Sequence, residues 1–422
     1  MSKTGTDPLY YIEVKEEIVM NGVGIDVSKG KSMVSVLRPG GEIVLAPFEV
    51  QHTRSSISSL VNKIQSLDGE SRIVMEHTGR YYEGLARMLS EKGLFVCAVN
   101  PKLIKLFDNG SLRPVKSDKA DAVKIAHYAL DKWSQLKEYN GMDQLREQLK
   151  TMNRQFHFYM KQKTAIKNNL IALLDQTYPG VNTYFSSPAR KDGSQKWVDF
   201  ASTYWHVDCV RKKSLALFTT HYQKWCKRKK YLFSEEKAKE IYETAKELVP
   251  VLPKDELTKQ MVKETLSQLD SISKTVETLR SLMNETAKKL PEYPVVLAMK
   301  GVGPSLGPQL IAEIGDVRRF THRGAITAFA GVDPGVDSSG TMNRKSVPTS
   351  KKGSPLLRKT LFQIMDVLVK LSPKDDAVYS FIDKKRAEGK PYYVYMTAGA
   401  NKFLRIYYGR VREYLKDLEK PE

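Results

Sequence analysis

Cysteine is scarce in this chain: three in 422 residues, at Cys97, Cys209 and Cys226. Three thiols build no disulfide framework and suit a reducing cytoplasm. No apolar run approaches the roughly 18 residues of a membrane span, so a membrane is not an expected partner. The opening stretch MSKTGTDPLYYIEVKEE is polar and partly acidic and does not read as a signal peptide. Acids are outnumbered: 48 Asp and Glu stand against 68 Lys and Arg, a formal charge of +20. Such an imbalance costs self-repulsion and is the footprint of a polyanionic partner, nucleic acid before an anionic membrane surface. A merely basic solvated surface is the bland alternative. With 41% hydrophobic residues, the chain can still bury cores, and its length suggests two or three domains.

The first ordered text is GVGIDVSKGKSMVSVLRPGGEIVLAPFEV, residues 22–50, which reads as β-strands separated by a Ser-Lys-Gly-Lys turn and by Pro39-Gly40-Gly41. An amphipathic helix follows over 57–67, then a buried strand SRIVME, a helix over 82–92, the buried strand LFVCAV stopped at Pro101, and a helix over 118–130. Three antiparallel-type strands followed by β-α-β-α is the order of a ribonuclease-H-like mixed sheet. A long basic helix is expected from about Gln144 to Leu174. Residues 178–250 read as an irregular aromatic insert carrying Lys227-Arg228-Lys229-Lys230. Beyond it, Val262, Leu266, Leu269, Ile272, Val276, Leu279 and Met283 recur at alternating steps of three and four, the stripe of a coiled-coil or core-facing helix. After Pro291 come a Gly-rich turn and a mostly helical remainder. The expected fold is therefore α/β plus α: a mixed-sheet domain over 20–135, a helical coiled-coil region over 136–290 with its insert, and a mostly helical domain over 291–415.

Four acids stand out. Asp26 lies mid-strand among Val23, Ile25 and Val27, where a carboxylate is costly without a partner or a metal. Glu76 closes a buried strand. Asp118 and Asp121 share one face of a helix. Together the four can hold Mg²⁺, or Mn²⁺ in its place, through oxygen ligands, and one or two such ions assist phosphoryl transfer. Singly, Asp118 also fits a helix N-cap and Asp121 a first-turn acid. His77 beside Glu76 reads as a surface histidine or a phosphate contact, and Arg113 and Lys116 are placed to meet a phosphate backbone.

A second cluster lies near the C-terminus. No acid occurs between Asp337 and Asp366, while Arg344, Lys345, Lys351, Lys352, Arg358 and Lys359 form a polyanion-binding strip. Within it Ser338 and Ser339 precede Gly340, and a serine there can be a nucleophile if a base or metal activates it, although Ser-Ser-Gly is equally a common turn. KGVGPSLGPQLIAEIGD resembles a helix-hairpin-helix, with Gly301 and Gly303 able to present backbone N–H groups to a phosphate. A tight αα turn packed on the core is the competing reading. His206, Cys209, His221 and Cys226 could be considered as zinc ligands, but the spacing lacks a CxxC pair.

These motifs occur together in one pattern. Through GIDVSK (Asp26), MEHTGRYYE (Glu76), KSDKADA (Asp118, Asp121), MKGVGPSLGPQLIAEIGD, FAGVDP, DSSG and SKKGSPLLRKTL, the chain resembles the DEDD transposases of the insertion sequence 110 family, recombinases guided by a bridge RNA. The resemblance covers most of the chain and implies a RuvC-like N-terminal domain and a C-terminal transposase domain. It implies that Ser339, the serine directly before the glycine, forms a transient 5′-phosphoserine link to DNA. It implies Mg²⁺ on the four acids, a dimer or tetramer, and a structured non-coding RNA pairing with donor and target DNA. Two departures are the long insert at 178–250 and Val332-Asp333-Pro334, where the family has Leu-x-Pro. Rival readings are a RuvC-type hydrolytic nuclease using the acids alone, a non-catalytic RNA-binding protein, and a tyrosine recombinase built on Tyr392, Tyr393 or Tyr395.

Overall fold

The computed structural model describes residues 19–77, 81–107, 117–139, 143–190, 192–333, 338–339, 342–343 and 349–420. It divides into two compact units, Met1–Gly141 and Met142–Glu422. Among the described residues no helix is long and apolar enough to cross a membrane.

Among the described residues the first unit is a five-stranded sheet with four α-helices. Strands β1 (Met20–Val27), β2 (Lys31–Arg38) and β3 (Glu42–Gln51) form an antiparallel meander, and β4 (Glu70–Glu76) and β5 (Phe95–Val99) add parallel to β1. The strand order β3-β2-β1-β4-β5 is the ribonuclease-H-like order expected from the sequence. Helices α1 (Arg54–Gln65), α2 (Tyr81–Ser90), α3 (Pro101–Phe107) and α4 (Asp118–Asp131) complete it. Alternation sorts the two faces. Val23, Ile25, Val27, Ile73 and Met75 pack with Ile57, Leu60 and Ile64 of α1 and Leu85 of α2. Val74, Cys97 and Val99 pack on the other face with Ile125 and Ala129 of α4.

The second unit is built on two long helices, α5 (Gln144–Leu174) and α10 (Glu256–Ala287), of 31 and 32 residues. At 1.5 Å per residue each spans roughly 45 Å. They run antiparallel and connect two cores. The start of α5 (Leu149, Phe156) and the end of α10 (Val276, Met283, Ala287) enter an aliphatic core. The end of α5 (Leu170, Leu174) and the start of α10 (Val262, Leu269) enter an aromatic one. The buried stripe of α10 is the one its spacing predicts.

The stretch expected to be irregular is largely helical: α6 (Lys196–Thr203), α7 (Asp208–Arg211), α8 (Leu215–Lys229) and α9 (Glu235–Glu247). Most of its aromatics turn inward. Tyr178, Phe200, Phe218, Tyr222 and Trp225 are fully buried, and Phe200 alone touches the rings of Tyr204, Tyr222 and Trp225 at 4.7, 6.2 and 5.7 Å between centroids. Large rings, each removing much apolar area from water, let a small insert hold a core of its own.

The aliphatic core gathers α11 (Tyr293–Leu297), α12 (Leu306–Ile314), α13 (Arg323–Ala330), α14 (Pro355–Leu371), α15 (Ala377–Ala387) and α16 (Tyr392–Leu418). A two-stranded hairpin, β6 (Ser338–Ser339) with β7 (Met342–Asn343), lies between α13 and α14 in the chain. The buried Arg146 at the start of α5 donates through Nη2 to both oxygens of the buried Glu292, each at 2.6 Å, which fixes α5 to the turn before α11.

Candidate active site

The acid site is assembled by the sheet. In β1 the alternation that sends Val23, Ile25 and Val27 into the α1 side sends Gly22, Gly24 and Asp26 toward α4. The two glycines let that helix lie directly on the strand. A Cβ at Gly24 would stand 2.1 Å from the Ala122 carbonyl oxygen and 2.3 Å from the Ala126 nitrogen, and one at Gly22 would stand 2.7 Å from the Ala126 oxygen. With its middle seated on the glycines, α4 brings its first turn, Asp118 and Asp121, to the level of Asp26. On the neighbouring strand Ile25 pairs with Met75, so Glu76 follows beside Asp26 at the same end of the sheet. The G-x-G-x-D spacing is the sequence signal for this approach, and the acids alone did not reveal it.

The N-cap of α4 is Ser117, whose side chain accepts from the Ala120 N–H at 3.2 Å. Capping therefore does not account for Asp118, which is exposed, and Asp121 is half-buried one turn on. Both sit where the helix dipole favours negative charge. The electrostatics unite the four. Burial pushes the carboxyl of half-buried Asp26 up to about 6, and the charges of Asp121, Asp118 and Glu76 add to the rise. At the rim Lys31 pairs with Glu49 at 2.6 Å; that bond raises its pKa, and the charge of Asp118 adds a smaller part. Among the described residues no three His, Cys, Asp or Glu side chains are grouped closely enough to hold a metal ion. The field of the four acids converges on Asp26 without closing a ready-made cage. His77 is exposed, with its backbone N–H on the Val99 oxygen and its ring 6.2 Å from that of Tyr82.

Ser339 sits in the second unit. Its backbone is paired in the short hairpin, Ser338 opposite Asn343 and Ser339 opposite Met342, where a Gly loop was expected. Gly340, Arg344 and Lys345 lie outside the described residues, as do Arg113 and Lys116. The stretch carrying the serine is closed at its base by the return of 350–354 along 329–333. The Ser350, Lys351 and Ser354 N–H groups donate to the oxygens of Asp333, Gly331 and Phe329, and the Ser350 hydroxyl donates to Asp333 Oδ1 at 2.8 Å. Of the expected phosphate contacts, half-buried Arg358 spends Nη1 on the carbonyls of Ala330 and Gly353, both at 3.0 Å, and so holds this base. Lys351, Lys352 and Lys359 are exposed.

The other predicted contacts divide similarly. In 227–230, which ends α8, Lys229 pairs with Asp199 at 2.8 Å, while Lys227, Arg228 and Lys230 are exposed. Gly301 has φ +79 and presses on α14, where a Cβ would stand 2.9 Å from Leu368 Cγ; the tight αα turn describes it. Gly303 is open, and its carbonyl accepts from the Leu306 and Gly307 N–H groups at the start of α12. The zinc set is not assembled. His206 is buried, with Nε2 3.0 Å from the Leu252 carbonyl and Nδ1 accepting from the Asp208 N–H. The Tyr392 hydroxyl donates to Asp366 Oδ1, and that bond is the main cause that pushes its pKa up to about 12, a poor setting for a nucleophile.

Comparison with known proteins bears on both sites. A DEDD-type IS110 family model described as "Transposase" matches residues 23–179, the stretch that holds all four acids. A second, described as "Transposase IS116/IS110/IS902 family", matches 293–380, which includes both serines. A 44.8 kDa protein of insertion element IS116 from Streptomyces clavuligerus is 22% identical over 321 residues, 75% of this chain and 77% of its own. The mini-circle protein for IS117 of Streptomyces coelicolor is 24% identical over 252 residues, 58% of this chain and 59% of its own. Among solved structures, T. thermophilus RuvC in complex with a Holliday junction substrate and Thermus thermophilus RuvC are 15% and 14% identical. Each covers 29% of this chain and 100% of its own, with a TM-score of 0.22.

Proposed function

The chain belongs to the IS110 family of DNA transposases, and on that premise we propose that it is an RNA-guided site-specific recombinase working through a phosphoserine intermediate. The Ser339 hydroxyl attacks a DNA phosphodiester. An O–P bond to the serine forms, the bond from phosphorus to the 3′-oxygen breaks, and the serine proton is given up as the departing 3′-oxygen gains one. The DNA is left with a free 3′-hydroxyl and a 5′-phosphate on Ser339. Attack by the 3′-hydroxyl of a second duplex reverses these steps and releases the serine, so strands are exchanged without net loss of a phosphodiester.

The observation that carries this reading is the convergence on Asp26. A half-buried strand carboxylate pushed up to about 6 by its burial and by three further acids is an arrangement that a cation would relieve. Asp26, Glu76, Asp118 and Asp121 offer only oxygen donors, which suits Mg²⁺, with Mn²⁺ as its substitute. When bound, that ion supplies charge stabilisation to the phosphoryl group in flight. The acids orient and hold it, and Ser339 is the group that changes its bonds. We assign the work to three regions: 20–135 to the acids, 136–290 to the guide RNA, and 291–415 to the serine and the donor and target DNA. Exposed Lys227, Arg228 and Lys230 supply cationic contacts for RNA, and Lys351, Lys352 and Lys359 for DNA. Sequence choice then falls to base pairing while the protein reads backbone and shape, in a dimer or tetramer.

Covalent trapping tests the proposal. Protein, its RNA, Mg²⁺ and both DNA sites are incubated, and a protein–DNA adduct is sought after denaturation. The adduct is expected with Ser338→Ala and absent with Ser339→Ala. Cleavage that survives Ser339→Ala would promote the hydrolytic nuclease instead. Full sequence specificity without RNA overturns the guidance.

A further inference from the structure

We infer that Glu313 is a positioning residue for the serine hairpin, a buried carboxylate that ties α5 to the base of the stretch carrying Ser339. The inference rests on the reading of Ser339 as the nucleophile.

Helix α12 is buried from Gly307 to its end, and Leu310, Ile311, Ala312 and Ile314 are sealed from solvent. In such a helix an acid contributes nothing to packing and is costly to desolvate. Glu313 is nevertheless 5% exposed, and both its oxygens are used on neutral donors. Oε1 accepts from Asn153 Nδ2 at 2.9 Å, and Asn153 on α5 is itself fully buried. Oε2 accepts from the Ser354 hydroxyl at 2.8 Å. The Asn153 amide has one workable orientation, because turning it would set its oxygen against the carboxylate. One turn further along α5, burial and then the charge of Lys359 hold the His157 imidazole below its usual range, against the opposing charge of Glu313. Among the described residues, the Asn153 Oδ1, both His157 ring nitrogens and Gln309 Oε1 are buried with no hydrogen-bond partner. Along the facing stretches of α5 and α12, then, polar side chains stand where aliphatic ones would pack at least as well, and a buried polar group of that kind calls for an explanation.

The explanation lies at Ser354. This residue caps α14, with its hydroxyl accepting from the Leu357 N–H at 3.2 Å while donating to Glu313. It is also the last rung of the returning segment, its N–H on the Phe329 oxygen at 3.0 Å. Beside it Gly353 has no space for a side chain, since a Cβ would stand 2.0 Å from that same oxygen. Glu313 thus pins the one serine that joins α14 to the zipped base, and Asn153 pins Glu313 to α5. A hairpin free to shift by an ångström would present its nucleophile off line, and such a misplacement costs about 10²-fold in rate.

The test uses the full chain with its RNA, Mg²⁺ and both DNA sites. In Glu313→Ala the rate of adduct formation at saturating DNA is expected to fall at least about tenfold, with the Kd for DNA held within about twofold. Hydrogen–deuterium exchange is expected to quicken at amides of 329–333 and 350–354 and to stay unchanged in α10 and α16. Glu313→Gln, which keeps an acceptor and the side-chain shape, is expected to recover most of the rate. A wild-type adduct rate in Glu313→Ala overturns the inference, and so does faster exchange spread evenly through the unit. If Glu313→Ala does not fold, Asn153→Ala carries the same measurements, with the same local pattern expected and the same results overturning it. An adduct that persists in Ser339→Ala defeats the serine reading itself, a result independent of these exchange data.

Discussion

The acid cluster and the serine hairpin are built in opposite ways. The acids are placed by long-range register: one on β1, one on the adjacent parallel strand, two on a helix reaching them some 90 residues later in the chain. The serine is placed by local closure, a short hairpin on a base zipped between 329–333 and 350–354. Each rests on a glycine with no room for a side chain, Gly24 under α4 and Gly353 against Phe329. Position in the acid cluster is therefore a property of a whole domain core, and position of the serine is a property of one loop base and the buried carboxylate that pins it. Damage to the first should spread, and damage to the second should stay local.

The largest expected effect is at Gly24. Gly24→Val drives α4 off β1, since even its Cβ would meet the Ala122 oxygen at 2.1 Å. Overpacking of this kind costs about 1–3 kcal/mol or more. It also carries Asp118 and Asp121 away from Asp26, so strand exchange is expected to drop by about 10²-fold or more. Amide exchange should quicken throughout β1, β4 and α4. Wild-type strand exchange in this variant would mean that the acids need no fixed register. Gly353→Ala should be milder, losing about tenfold in adduct formation, with faster exchange confined to 329–333 and 350–354. Should its damage spread into α10 and α16, the base of the hairpin is part of the core and the comparison fails.

The same contrast governed what could be read in advance. The strand order and the four acids were legible, because periods of two and 3.6 survive in the text and because Asp26 among Val23, Ile25 and Val27 has no place in a core without a purpose. Local closure leaves no such period. The serine stood out only through resemblance, since Ser-Ser-Gly is an ordinary turn. The helices of the insert are hidden in the sequence for a different reason. Phe218, Tyr222 and Trp225 follow helical spacing, yet the dense mix of aromatics and lysines reads as irregular; in the structure the rings face inward and the lysines outward. Glu313 did leave a trace, an acid inside the apolar run QLIAEI, the same kind of signal that singled out Asp26. Its role is not legible there because no partner for it lies nearby in sequence: Asn153 is 160 residues away.

The smallest expected effect separates the two regions by pH. Asp26 holds its proton more tightly folded, near pH 6, than unfolded, near 3.8. Between those values the native state binds more protons, so this group's contribution to stability falls as pH rises from about 4 to about 6 and stays at its low level above that. Asp26→Asn removes the titrating carboxyl. In chelator, without divalent metal, the variant should therefore melt higher than wild type at pH 7.5, and the advantage should vanish below about pH 4. Because the side chain is only half-buried, solvent screens much of the effect, and about 2 °C is the expected gap. Added Mg²⁺ should close the gap by stabilising wild type and leave Asp26→Asn unmoved. Ser339→Ala, which removes no titrating group, should shift melting by the same amount at every pH. A difference between Asp26→Asn and wild type that stays constant from pH 4 to 8 would show that the four acids share no common field, and the convergence on which the proposed metal site rests would be gone.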